Sequence, residues 1–238
     1  MLMTATLTLA DLAATSPSAT RILEHYGLDY CCGGKQALED ACLSKGLAPE
    51  QILREIGDAG AATVADRDWQ TAPLDELVSH IVETHHAYLK LDLPVLEARI
   101  EKVVAVHGAK DPQRLPRLAA VFTGLRSELE AHLHKEEAIL FPFIVQYGRA
   151  ESRNQPTPPV PFGSIANPIA VMEREHAGAG DALQEIRDLT DGYHPPAYAC
   201  ATVRALYDGL KALEKDLHIH IHLENNILFP RAIALEKR

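Results

Sequence analysis

The strongest constraint in this 238-residue chain is an internal repeat. Residues 132–144 read HLHKEEAILFPFI and residues 220–232 read HIHLENNILFPRA, sharing H-x-H-x-E-x-x-I-L-F-P, seven identities at fixed offsets in eleven positions. Each copy has a further histidine upstream in a helical context, His86 at 46 residues before His132 and His176 at 44 residues before His220. In an antiparallel helical hairpin, residues equidistant from the turn lie at equal depth. The midpoints, 109 and 198, fall in VHGAKDP and beside DGYHPPAY, both turn signals. The repeat unit is therefore a helical hairpin, and a Pro-rich crossover of about 23 residues (RAESRNQPTPPVPFGSIANP and its flanks) should join the two copies. Asn167-Pro168 reads as an N-cap and first-turn pair opening the third helix. Pro142 and Pro230, six residues beyond Glu136 and Glu224, are expected to end their helices.

The alternating 3-4 spacing of a bundle interior locates the polar residues. Leu206, Leu210, Leu213, Leu217, His220, Glu224 and Ile227 form one unbroken seam; Leu115, Leu118, Phe122, Leu125, Leu129, His132, Glu136 and Ile139 form another. Ile169, Met172, His176, Ala179 and Leu183 form a third. On the first bundle helix His86 joins Leu89, Leu93, Leu96 and Ile100, while His85 claims a competing series through Val78, Ile81 and Tyr88, and periodicity leaves that choice open.

Two carboxylates level in one core repel each other and are costly to bury unless a cation joins them. Four imidazoles and two carboxylates converging from four helices are the donor set of a dinuclear non-haem iron or manganese site. The His-x-x-x-Glu spacing puts both side chains on one helix face. His134, His218 and His222 lie about 200° around the helix from seam ligands and are expected at the surface. His107 is 21 residues from His86, about 31 Å of helix, too far to share the site. Glu175 is expected on a solvated face, and Cys200, His194 and Tyr198, near the second turn, as structural or surface residues.

Ahead of the bundle, residues 1–58 carry short apolar stretches between helix start and stop signals: Ser16-Pro17 opens one helix, Gly27 closes it, Gly33-Gly34 interrupts the chain, and Ala48-Pro49 starts another that ends near Gly57. A linker over 59–72 and a bundle over 73–238 complete the division. The expected fold is all-α, a small N-terminal helical domain followed by an up-down-up-down four-helix bundle. With 23 basic and 33 acidic residues, the net charge of 23 − 33 = −10 excludes a nucleic-acid footprint. No run approaches a membrane span, and the N-terminus lacks the basic start of a secretory signal. Four cysteines, two of them adjacent, do not form the spaced framework of a secreted domain and read as reduced thiols of a cytoplasmic protein. Cys42 is expected in the core.

The His, His-x-x-x-Glu, His, His-x-x-x-Glu arrangement resembles hemerythrin-like domains, and LDYCCGGKQAL resembles the cysteine-pair domain preceding them in the repair-of-iron-centres proteins. Together with DWQTAPLDELVSHIVETHH and the two repeat blocks, the resemblance covers nearly the whole chain. It implies two iron ions, oxo- or hydroxo-bridged, ligated by His86, His132, His176 and His220 with Glu136 and Glu224 as bridges, and it selects His86 over His85. The implied role is recovery from nitrosative or oxidative stress, with damaged iron–sulfur proteins as clients that receive iron; nitric oxide reduction, or gas buffering or sensing, would use the same site. Nitric oxide or dioxygen would be its small ligands, neither nucleic acid nor membrane a partner, and a homodimer is compatible with it. Cys31 and Cys32, expected at a helix start with exposed thiols favoured as thiolates, are the candidates for thiol chemistry or iron transfer.

Overall fold

The computed structural model describes residues 7–15, 17–60 and 67–237. Every regular element among them is helical. The N-terminal region holds α1 (Leu9–Ala13), α2 (Pro17–His25), α3 (Leu38–Lys45) and α4 (Pro49–Gly60). Local chemistry sets their limits. Thr8 and Asp11 close a capping box on α1, with the Asp11 amide donating to Thr8 Oγ1 and the Thr8 amide to Asp11 Oδ2, each at 3.1 Å. Gly27 and Gly46, at φ 62° and 65°, take the left-handed conformation that ends α2 and α3. Ser16, expected to open α2, lies outside the described residues, but the helix does begin at Pro17. α4 continues past Gly57 to Gly60, and of the expected linker, residues 61–66 lie outside the described ones.

Four long helices complete the chain. α5 spans residues 74–107 through Leu74–His80, a π-helical turn Ile81–His86 and Ala87–His107. α6 spans 114–152 through Arg114–Lys135, a π-helical turn Glu136–Leu140 and Phe141–Ser152; α7 is Ala166–Leu189; α8 spans 201–236 through Ala201–His222, a π-helical turn Leu223–Leu228 and Phe229–Glu236. The turns fall where the midpoints place them, at 108–113 and 190–200.

Several expectations are corrected. Neither Pro142 nor Pro230 ends its helix. Each lacks the amide that would bond four residues back, but the π-helical turn just before it widens the backbone and the helix continues. The extra residue in that turn rotates the rest of the helix about its axis, so Ile139, expected on the seam, is 47% exposed and Leu140 is buried instead, whereas Ile227 stays inside. The crossover is shorter than expected, because α6 runs to Ser152 and α7 begins at Ala166. Its N-cap is Ile165, not Asn167, and the Ile165 amide donates 2.8 Å to Glu236 Oε1 from the end of α8.

The bundle interior has two apolar layers. One, on the loop side, contains Leu89, Leu96, Phe122, Leu129, Leu210 and Leu217; the other contains Leu77, Ile81, Ile144, Met172, Leu228 and Phe229. Between them lies a belt of buried histidine and glutamate. The N-terminal helices pack their own core of Leu9, Leu23, Tyr30, Cys42 and Ile52 against Ile221 of α8. Cys42 is in the core as expected.

Candidate metal centre

Each helix brings its part of the belt in through the seam. His86 comes from the π-helical turn of α5, His132 from α6 one turn before its π-helical turn and Glu136 from the start of that turn, His176 from α7, and His220 and Glu224 from α8. The most exposed of the six is His132, at 3%. They form two overlapping quartets, His86, Glu136, His220 and Glu224, and His132, Glu136, His176 and Glu224, with the ligand atoms of each quartet within 4.8 Å of one another.

The carboxylates span the quartets. Glu136 turns Oε2 to His86 Nε2 and Oε1 to His132 Nε2, both at 3.4 Å. Glu224 turns Oε1 to His220 Nε2 at 3.0 Å and Oε2 to His176 Nε2 at 3.1 Å. The imidazoles face each other in pairs, His86 Nε2 at 3.2 Å from His220 Nε2 and His132 Nε2 at 3.0 Å from His176 Nε2.

Contacts behind the rings decide which nitrogen is the lone pair. His86 Nδ1 donates 2.8 Å to Glu137 Oε1, which Lys90 also holds. His132 Nδ1 donates 2.7 Å to Glu175 Oε2, with Lys135 on the other oxygen. His176 Nδ1 donates 2.8 Å to Asn225 Oδ1. With Nδ1 carrying the proton, these Nε2 atoms aim lone pairs into the belt, the arrangement in which a carboxylate or amide orients a metal-bound imidazole. Glu136 Oε1 and Oε2 and Glu224 Oε2 have no hydrogen-bond donor. Buried lone pairs and buried negative charge that converge without a donor require cations.

The titration of the cluster shows the same demand. Burial alone would depress His86 and His132, but the carboxylates of Glu136 and Glu224 outweigh it and raise them to about 10 and about 9. Burial would raise Glu224, yet His220, His176 and His86 hold it well below the usual carboxylate range. Protons are the small cations such a cluster gathers when metal ions are absent, and metal cations would compete for the same lone pairs.

Sequence reasoning left several neighbours of this site misplaced. Glu175, expected in solvent, orients His132. His85 is also buried, because the π-helical turn carries two consecutive residues inward: its Nδ1 donates 2.9 Å to Asp216 Oδ1, and its ring stacks 5.4 Å from that of His220. His134 is exposed as expected, but His222 is buried and His218 half-buried, since Tyr30 packs edge-on to both at 5.5 and 6.3 Å. The periodicity of the bundle cannot register that covering.

The cysteine pair also differs from expectation. Cys31 and Cys32 sit in a bend well before α3, and Cys31 is 3% exposed. Asp29 folds over the bend, accepting from the amides of Cys31, Cys32 and Gly33 at 3.1, 2.9 and 2.9 Å and from Cys31 Sγ at 3.2 Å. The neighbouring Cys32 thiol, burial and Asp29 all push the Cys31 thiol well above the ordinary range, so it is a thiol in the metal-free chain. The pair is not remote from the belt: Cys32 Sγ donates to the His176 carbonyl at 3.4 Å, and Asn225 Nδ2 donates 3.3 Å to the Cys31 carbonyl. A Cβ on Gly34 would come within 2.6 Å of the Tyr30 carbonyl, so the second glycine of CCGG permits this docking. Asp29, Cys31 and Cys32 could themselves hold a cation.

A buried belt of four histidines and two spanning glutamates inside a four-helix bundle defines the hemerythrin class of cation-binding domain. Residues 77–232 match the family model described as the Hemerythrin HHE cation binding domain, and residues 5–60 match ScdA_N, a domain of unknown function. Among curated proteins, the iron-sulfur cluster repair protein YtfE of Enterobacter sp. (strain 638) is 42% identical over 230 residues, covering 96% of this chain and 97% of that one. YtfE of Edwardsiella ictaluri is 42% identical over 227 residues (95% and 96%), and that of Escherichia coli O157:H7 is 41% identical over 229 (96% and 97%). The chain belongs to the YtfE family, in which an ScdA_N domain precedes a hemerythrin-like domain.

Proposed function

We propose that this protein stores two iron ions in the belt and donates iron to iron–sulfur proteins damaged by nitrosative or oxidative stress. His86 and His220 would hold one ion and His132 and His176 the other, with Glu136 and Glu224, which belong to both quartets, as the carboxylates shared between them. Iron suits this nitrogen and carboxylate donor set, and when bound it supplies Lewis acidity and one-electron chemistry toward small ligands such as nitric oxide or dioxygen. The name shared by the relatives, iron-sulfur cluster repair protein, supports the same reading.

The observation that carries the donor role is the contact of the thiol bend with His176. Asn225 links the His176 ring to the Cys31 carbonyl, and Cys32 lies against the His176 backbone, so Asp29, Cys31 and Cys32 form the next donor set outward from the belt. Those thiols line a cleft of about 810 Å³ between the N-terminal helices and the bundle, walled on the far side by Gln184, Lys211 and Lys215. Because the Cys31 thiol is held protonated, iron reaches the bend only in exchange for protons, which suits a transit point more than a store. Thiols in that role require a reducing compartment, and we place the protein in the cytoplasm.

The test is activation of a cluster-depleted iron–sulfur enzyme by the full chain, compared with the Cys31→Ser, Cys32→Ser double variant at matched iron loading. Wild type should activate, and the double variant should keep its iron yet deliver it at least about tenfold more slowly, the scale at which neighbouring donors act on metal sites. No activation by wild type would refute donation. Equal activation by both would remove the thiols from the route.

A further inference from the structure

We propose that Cys200 and His107 form a second reactive site, a peroxide-oxidisable thiol at the loop end of the bundle, away from the metal belt. His107 ends α5, 21 residues and about 31 Å of helix beyond His86. Cys200 is the N-cap of α8. The loop end of the bundle brings them together, with His107 Nε2 at 3.4 Å from Cys200 Sγ.

Burial is divided unevenly between the two. His107 is 7% exposed, its ring stacks on Tyr198 at 5.4 Å, and its Nδ1 has no partner among the described residues, so its one directed polar contact is with the sulfur. Cys200 is exposed. A buried imidazole aimed at an open thiol is the arrangement that activates a sulfur nucleophile. The amides of Val203 and Thr202 face the same sulfur from the first turn of α8, without closing a formal cap hydrogen bond. With the Val203 amide first and His107 next, they draw the thiol down to about 7, so a large share is thiolate at neutral pH. Lys110, Asp111, Arg114, Asp191, His194, Tyr198 and Tyr207 are also ionisable groups at this end: Lys110 covers the Tyr198 ring, Asp111 and Arg114 act on its hydroxyl and on that of Tyr207, and His194 lies against the Asp191 carbonyl.

The chemistry balances with a hydroperoxide ROOH as co-reactant. The Cys200 sulfur attacks the terminal oxygen; the S–O bond forms as the O–O bond breaks, and the leaving alkoxide or hydroxide takes the proton from His107 Nε2. The products are cysteine sulfenic acid and ROH, with sulfur oxidised by two electrons and the peroxide reduced by two. The other three cysteines all lie in residues 31–42, so no second thiol of the bundle can condense with the sulfenic acid.

The experiment uses the full iron-loaded chain. Limited alkylation with iodoacetamide across pH, followed by peptide mapping, should give Cys200 a midpoint near 7. At pH 7 its rate should be roughly three-fold above a thiol of ordinary pKa about 8.5, a gain of about sixteenfold in thiolate offset about fivefold by lower nucleophilicity. His107→Asn should move the midpoint upward by about one unit, a change that a packing role for His107 would not produce. Treatment with one equivalent of hydrogen peroxide in the presence of dimedone should leave the adduct on the Cys200 peptide. A wild-type midpoint of 8.5 or above, or dimedone found only on Cys31 and Cys32, would overturn the proposal. Both decisive readings are made on the wild-type chain and do not depend on a variant folding.

Discussion

The sulfur of Cys32 lies 3.4 Å from the carbonyl oxygen of His176, a residue 144 positions away whose ring faces the metal belt. Asn225, next to Glu224, ties the same two segments together by donating to the Cys31 carbonyl and accepting from His176 Nδ1. Asn225→Leu removes both bonds at similar volume. Iron in this variant should be lost to a chelator about ten times faster than from wild type, followed as the rise of the coloured iron complex. An unchanged rate would show that the thiol bend and His176 act independently.

The bridging role proposed for the glutamates ranks the substitutions. Glu136→Ala or Glu224→Ala removes oxygen donors from both metal positions, so each variant should retain far less than half the iron measured in wild type by elemental analysis. His134→Ala, at the exposed position, should retain all of it. Iron loss from His134→Ala equal to that from Glu136→Ala would break the seam assignment.

Metal uptake should be coupled to protons. In the metal-free chain His86 and His132 titrate at about 10 and about 9, above their ordinary 6.5, so both are charged at pH 7. Binding two cations at that pH should release about two protons, read with an indicator dye in weak buffer, and affinity should rise with pH until about 10. The same raised values stabilise the metal-free fold fully below 6.5, and that contribution is lost as pH climbs through 9 to 10. Metal-free protein should therefore melt lower at pH 10 than at pH 7, and the iron-loaded protein should show a smaller difference.

The helices and five of the six candidate ligands were legible because the repeat is local in sequence and the seams follow a fixed spacing; the choice of His86 over His85 came only from the family resemblance. Three π-helical turns were not. Each adds one residue to a turn, which is why Ile139 faces solvent, why His85 and His86 are both buried, and why Pro142 and Pro230 are crossed by continuous helices. Also hidden was the docking of Tyr30 on α8, since nothing in the bundle's spacing signals a second core. His222 thus passed for a surface residue, and Cys31 and Cys32 for exposed thiols at a helix start.

That docking gives a stability contrast. His222 is buried against Tyr30 and accepts 2.8 Å from Asn226 Nδ2, which also donates 2.9 Å to the Tyr30 carbonyl. His222→Ala should cost about 1–3 kcal/mol in urea unfolding, and His134→Ala less than about 0.5. Equal costs would place His222 outside the packed interface.

We further propose that the bundle is an autonomous unit. A shortened chain beginning at Asp68 keeps all six candidate ligands and both apolar layers, so it should fold and hold two irons while losing delivery to a client, checked by circular dichroism and the activation assay. Failure to fold would mean that Ile221 and its neighbours on α8 depend on the N-terminal helices.

The central claim is a pair of iron ions bridged by Glu136 and Glu224. Elemental analysis of the purified protein together with its Mössbauer spectrum tests it most directly. The account predicts about two irons per chain and a diamagnetic ground state in the diferric form, the signature of two ions coupled through a bridge. One zinc per chain with no iron, or iron whose spectrum is that of isolated high-spin ions, would contradict it.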